Sequence, residues 1–320
     1  MKRWNLIFSI FLILIFATPV LAERNILIDF NSLDNTELDI VKIAGPNVFQ
    51  SVKTEEERKN LLISLEPKNW EVVLSPSSRT IENISLSFVK TVKVDRGQYA
   101  GQTVLGARIH FPTEKYNSWA KIIPPYEIPS YEQSDANDTI GNKYIGKGVL
   151  RNVGAIKNIM ITVRGLNFPH SLTIRLKNQN DELIDFFVGY LDFTGFITIT
   201  IDNPNYIADV RKRMLKKYPL YPVEEPYVKL DSFIIYRHGD QIGGDFVVYI
   251  KSIEMIYDLA ILKMEQEIDD EAVWHILSDR REAKKRAEAA RVGIIQLLRW
   301  EEQQKMATES ASEQQQQTQQ

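Results

Sequence analysis

Four histidines, His110, His170, His238 and His275, are the side chains here that titrate nearest neutral pH. None pairs with another at the i, i+4 spacing that sets two imidazoles on one helical face, so a metal would need ligands from remote stretches of chain. His238-Gly-Asp240 places a histidine beside a carboxylate, as proton transfer requires. Its glycines and polar neighbours, through Gly244, read instead as a turn between two strands. The loop Asp135-Ala-Asn-Asp-Thr-Ile-Gly141 carries oxygen ligands, but its sixth position is Ile140 and its twelfth is Gly146, so it is not an EF-hand. A looser calcium loop stays open. Gly146, Gly148 and Gly154 lack the Gly-Lys-Ser/Thr ending of a phosphate cradle, and adjacent Glu224 and Glu225 say nothing of the separation that glycosidase carboxylates need. The chain has no cysteine, which removes thiol nucleophiles, thiolate zinc sites and iron–sulfur ligation. No catalytic residue, cofactor or metal ligand is therefore assigned.

The elements that would carry any chemistry begin with a leader. Lys2 and Arg3 precede the apolar run Leu6 to Phe16, and Val20-Leu21-Ala22 supplies small residues before a cut between Ala22 and Glu23. That run is shorter than the roughly 20 residues of a spanning helix. Residues 1–22 are thus read as a cleaved signal, with no membrane span in the mature protein. The remainder of the 320 residues suffices for a substantial core, and the net charge of −3 gives no nucleic-acid footprint.

Residues 23–258 alternate short runs of Val, Ile, Phe, Tyr and Thr with Gly, Pro, Asn and Asp, which predicts a mainly β sandwich of about ten strands. Leu172, Ile174 and Leu176 share one face while Thr173, Arg175 and Lys177 share the other, and Ile197, Ile199 and Ile201 alternate with Thr198 and Thr200. Strands are expected over Ile26–Phe30, Trp70–Leu74, Ile84–Val94, Thr103–Phe111, Ile156–Arg164, Ser171–Lys177, Leu183–Tyr190, Gly195–Ile201, Ser232–Arg237 and Phe246–Tyr257. Two long loops interrupt the pattern, Pro112–Gly148 and Asn203–Pro226, the second with a basic helical stretch over Val210–Tyr218. Their aromatics Trp119, Tyr126, Tyr131, Tyr218 and Tyr221 are candidate anchors for a sugar or another protein. Asn83-Ile-Ser85 and Asn137-Asp-Thr139 match the glycan-acceptor pattern.

From Leu259 to Lys305 the composition turns to helix formers, with Gly293 the one glycine and no proline. Val273, Leu277, Ile294 and Leu298 form an apolar stripe predicted to dock this arm on the β domain, a core or a neighbouring subunit. Residues 306–320, rich in Gln, Ser and Thr, read as a disordered tail.

Taken in order, the leader, the Ile26-Leu-Ile-Asp-Phe30 strand, the stretch Asn69-Trp-Glu-Val-Val-Leu-Ser-Pro-Ser-Ser-Arg79, and the pair Tyr227-Val-Lys-Leu-Asp-Ser-Phe-Ile-Ile-Tyr-Arg237 and Ile253-Glu-Met-Ile-Tyr-Asp258 resemble the outer-layer, or sheath, protein of spirochaete periplasmic flagella. The resemblance covers most of the mature chain. It implies a non-enzymatic periplasmic subunit, without cofactor, that coats a core of flagellins beside other sheath subunits, as a homo- or hetero-oligomer in the filament, and affects filament stiffness or shape and motility. The strands from Leu230 to Asp258 also resemble the closing strands of galactose-binding-like jelly rolls, so a secreted carbohydrate-binding module is the alternative.

Overall fold

The computed structural model describes residues 22–33, 41, 44, 47–50, 52, 54–114, 116–130, 146–215, 224–260 and 268–318, with side chains through Met306. Ten strands form one antiparallel sheet: β1 (Ala22–Asp29), β2 (Glu71–Leu74), β3 (Phe88–Lys93), β4 (Thr103–Phe111), β5 (Trp119–Ile123), β6 (Val149–Arg151), β7 (Val153–Asn178), β8 (Leu183–Asp202), β9 (Tyr227–Tyr236) and β10 (Gly244–Leu259). The path runs β2-β5-β9-β7-β10-β4-β3, with β1 beside β10, β6 beside β9 and β8 beside β7.

The chain turns this one sheet into a jelly-roll-like sandwich by bending β7. Its first half pairs with β10 and its second half with β9, while β8 follows it along both halves. The expected break between Arg164 and Ser171 is a bend inside one strand. Asn167 sits there in the left-handed region at φ 61°, Pro169 has no N–H to give a ladder, and the β7–β8 register slips on either side of Phe168. Leu183–Tyr190 and Gly195–Ile201 are likewise one strand, β8, relaxed by Gly189 and Gly195 at φ 137° and 100°.

Between the two layers, Phe30, Trp70 and Phe233 pack at centroid distances of 5.2 to 6.4 Å, and the Trp70 indole N–H donates to the Leu65 carbonyl at 3.0 Å. Leu172, Ile174 and Leu176 are fully buried, as their alternation requires. At one end His170 stacks on Phe246 at 4.6 Å with Phe111 and Phe168 around it. Burial holds its imidazole down to about 4, helped by the charges of Arg237 and His238.

Outside the sheet lie α1 (Glu55–Asn60), α2 (Ile81–Leu86) and α3 (Tyr206–Leu215). The strand expected over Ile84–Val94 starts only at Phe88, because Thr80 caps the preceding residues as α2 by accepting from the Asn83 N–H at 3.1 Å. The loop expected over Pro112–Gly148 contains β5, too short to show a clear alternation and flanked by polar residues and prolines. The helix expected over Val210–Tyr218 is α3, which starts four residues earlier. Its Tyr206 hydroxyl donates to Asp258 at 2.8 Å and Arg213 reaches the same buried carboxylate, tying α3 to the end of β10. At the C-terminus α4 (Asp270–Trp274) leads through His275, in the left-handed region, into the long helix α5 (Ile276–Thr318). Helix α5 continues through the stretch whose composition reads as a disordered tail.

Candidate assembly surface

Helix α5 is held on the sheet by an ion cluster around two lysines and by apolar contacts of Val292, Leu297 and Trp300 with the core. Lys177 of β7 and Lys229 of β9 are direct cross-strand partners. Like charges so placed repel, and Lys229 is only 1% exposed, so water cannot screen it. Glu127 stands between them, accepting from Lys229 at 2.8 Å and Lys177 at 2.9 Å through one oxygen, while its other oxygen meets Arg291 of α5 at 2.7 Å. Burial pushes the Glu127 carboxyl up. The hydrogen bonds from Lys229 and Lys177 and the nearby positive charges more than offset this, leaving it below the usual carboxylate range.

Glu288 of α5 completes the cluster. It lies 3.3 Å from the Lys229 ammonium and accepts from the Ser130 N–H at 2.9 Å and hydroxyl at 3.0 Å. One turn on, Val292 is buried. Gly293 sits so close to the body that a Cβ there would lie 2.4 Å from the Ala44 methyl, which is why the arm carries glycine at this point. Gln296 and Arg299 then both donate to the Pro125 carbonyl, at 3.0 and 2.7 Å, and Arg299 meets Glu71. Glu288, Val292, Gln296 and Arg299 recur at helical spacing. The docked face is therefore mixed, since Leu297 and Trp300 also pack against the core beside Val292.

Of the surfaces on which the expected stripe could dock, the chain's own sheet is not the one that Ile294 and Leu298 cover. Ile294 and Leu298 are about half exposed and point away from the sheet, with Ile295 beside them. Val273, on α4, is also exposed, whereas Leu277 at the start of α5 is half-buried. The apolar residues of α5 that do pack inward, Val292, Leu297 and Trp300, lie outside the expected stripe.

The aromatic set is divided as well. Tyr126 is buried and cannot serve as an exposed anchor, because its loop is folded under α5. Trp119 is half-buried in β5 with the Lys121 ammonium 5.3 Å from its ring centre. Tyr131, Tyr218 and Tyr221 lie outside the described residues, as does Asn137. Asn83 is buried and its amide donates to the Ser78 carbonyl at 2.9 Å, so a glycan at that position would have to displace α2. Ala22 and Glu23 open β1, and the leader before them lies outside the described residues. His238 and Asp240 occupy a surface turn, with 3.7 Å between ring nitrogen and carboxylate, and His110 pairs with its cross-strand partner Asp245 at 2.8 Å where the end of β4 meets the start of β10. His170 and His238 are near enough to interact, but no three possible metal ligands gather among the described residues.

Beyond the arm, α3 and both ends of the β7–β8 hairpin enclose an open cleft of about 1460 Å³, with Phe186, Ile201, Asp209, Lys212 and Tyr227 among its walls. No described helix is long and apolar enough to cross a membrane.

The model of the family described as flagellar filament outer layer protein matches residues 32–266, which takes in the sheet almost entire. A flagellar filament outer layer protein of Spirochaeta aurantia is 41% identical over 304 residues, covering 90% of this chain and 89% of the relative. The protein of the same name from Treponema pallidum is 36% identical, with 90% of each chain covered. The chain belongs to the flagellar filament outer layer protein family. A third member, from Borreliella burgdorferi, is 28% identical over 78% of this chain and 74% of its own. Among solved structures, the family 11 carbohydrate-binding module of a Clostridium thermocellum cellulase is similar at 10% identity and a TM-score of 0.28, over 62% of this chain and 91% of the module. TmCBM61 in complex with β-1,4-galactotriose is similar at 8% identity and a TM-score of 0.29, over 59% and 88%. The family match ends at residue 266, before α4 and α5, so the arm that supplies Glu288 and Arg291 lies beyond it.

Proposed function

We propose that this chain is a structural subunit of the coat around the flagellin core of a periplasmic flagellar filament. In this reading the leader is cut between Ala22 and Glu23, the mature chain reaches the core from the periplasm, and the coat contributes to filament stiffness and shape and so to motility. Family membership over most of the chain carries the proposal. The geometry supports it: the charged stripe of α5 is already occupied by the chain's own sheet, while Ile294, Ile295 and Leu298 form an outward apolar strip. Such a strip suits a neighbouring subunit or the core, since apolar residues on an otherwise polar helix gain most from being covered. No enzymatic step is assigned.

The test is filament purification from cells making the full chain or a chain ended before Glu265. The full chain should co-purify with filaments that are thicker than those from cells lacking it, and the shortened chain should decorate them poorly. Filaments of unchanged thickness in its absence would overturn the coat, and full decoration by the shortened chain would remove the arm from it.

A further inference from the structure

We propose that the Phe193–Ile201 edge of β8 pairs antiparallel with the same edge of a second copy of this chain. Among the described residues β7 is the only strand that pairs with β8, so the far side of a 20-residue strand is left open. Helix α3, which follows it, does not run back along that side. Asn203 bonds to Lys157 at the start of β7 and Tyr206 bonds to Asp258.

An open edge is a template for another strand, and proteins that keep such edges free place lysine, proline or a strong bulge there. Edges elsewhere in this sheet are charged or already engaged. β3 exposes Lys90 and Lys93, β2 has its Glu71 taken by Arg299 of α5, and in β1 the Leu27 carbonyl already accepts from the Gly148 N–H at 2.7 Å. Phe193-Thr-Gly-Phe-Ile-Thr-Ile-Thr-Ile201 contains no charge and no proline. Its register with β7 is unbroken from Asn158↔Asp202 to Leu166↔Thr194, and past the bend at Gly195 the uncharged stretch Phe196–Ile201 is regular.

The occupant follows from the side chains. Opposed residues in an antiparallel pair lie on one face, so self-pairing about Thr198, Ile199 or Thr200 sets isoleucine against isoleucine and threonine against threonine near the centre. β8 already matches its neighbour this way. Ile161 lies opposite Ile199, Val163 opposite Ile197, and the Thr162 and Thr198 hydroxyls bond at 2.9 Å. Asp192 and Asp202, which bracket the segment, do not oppose one another's copies in the pairing about Ile199. Ile197, 40% exposed at the rim, would be covered. This contact is separate from the apolar strip of α5 and holds for the protein in solution whether or not it coats a filament.

Because the natural chain has no cysteine, single cysteines report the contact cleanly. Thr198→Cys and Thr200→Cys proteins, each alone and mixed, are oxidised with copper phenanthroline beside a Lys90→Cys control on β3. A disulfide-linked dimer from one of the three β8 combinations, and none from the control, is the expected result. No dimer from any of the three, or equal dimer from the control, overturns the inference. In parallel, the Thr198→Lys/Thr200→Lys chain should self-associate at least about tenfold more weakly by sedimentation, with an unchanged circular dichroism spectrum. Association as strong as in the natural chain would count against the edge. Decorated filaments without cross-linking would sink the edge contact and leave the coat standing, whereas cross-linking by a chain that never binds filaments would do the reverse.

Discussion

The centre of the sandwich and the seat of the α5 arm bury comparable side chains by opposite means. Around Phe233 the chain removes aromatic and aliphatic surface from water, an attraction without direction that involves no titrating group. Beneath α5 it buries Lys229 and surrounds it with Glu127 and Glu288, an arrangement whose value depends on distance, partner and protonation. The contrast separates two jobs. Apolar packing makes the body stable, and the ion cluster together with Val292, Leu297 and Trp300 fixes which face of the arm turns inward.

The largest expected effect is in the body. Phe233→Ala should cost about 3–5 kcal/mol in a denaturant titration, since the cavity lies between Phe30 and Trp70 where neither layer can close it. Glu288→Ala should cost about 3 kcal/mol locally, because it removes one of the two carboxylates on Lys229 and both Ser130 bonds. Hydrogen exchange would show α5 amides losing protection while those of β7 and β10 keep theirs. Equal loss in both regions would mean that arm and body unfold as one.

Acid should also distinguish the two regions. His170 is held neutral in the fold at about 4 against an ordinary value of 6.5, so the unfolded chain binds the extra proton between those limits and body stability falls as the pH drops through that window. His170→Phe should flatten it. Glu127 has a lowered folded value, so its contribution is whole above the ordinary 4.5 and is lost as the pH falls toward and through that lowered value. Arm protection measured down the same series should therefore fail at lower pH than body stability starts to decline. The smallest effect is expected from Ile294→Ser and Leu298→Ser, within about 0.5 kcal/mol for the isolated chain, because both side chains are half exposed. Greater destabilisation would show that they already pack within the monomer.

Much of the body was legible from residue order. The Leu172, Ile174 and Leu176 alternation, the Trp70–Leu74 strand and the β10 run each stand in the sheet where pattern places them. The bent strands were read as pairs of short ones because Pro169 and Gly195 punctuate a sequence whether the chain turns back there or merely bends. The aromatic anchors were less legible, since a tyrosine such as Tyr126 has the same local signature under a helix as in open solvent.

Residue types and their spacing by themselves determined a cysteine-free β body with a helical C-terminal extension, because period and composition report local backbone preference directly. The inward face of that helix was decided only in three dimensions. Lys177 and Lys229 lie 52 residues apart and become neighbours through strand pairing alone, and the positive charge they concentrate draws in Glu127 and Glu288, with Glu127 in turn holding Arg291. Coulombic attraction acts on distance in space, so no reading along the chain could place it.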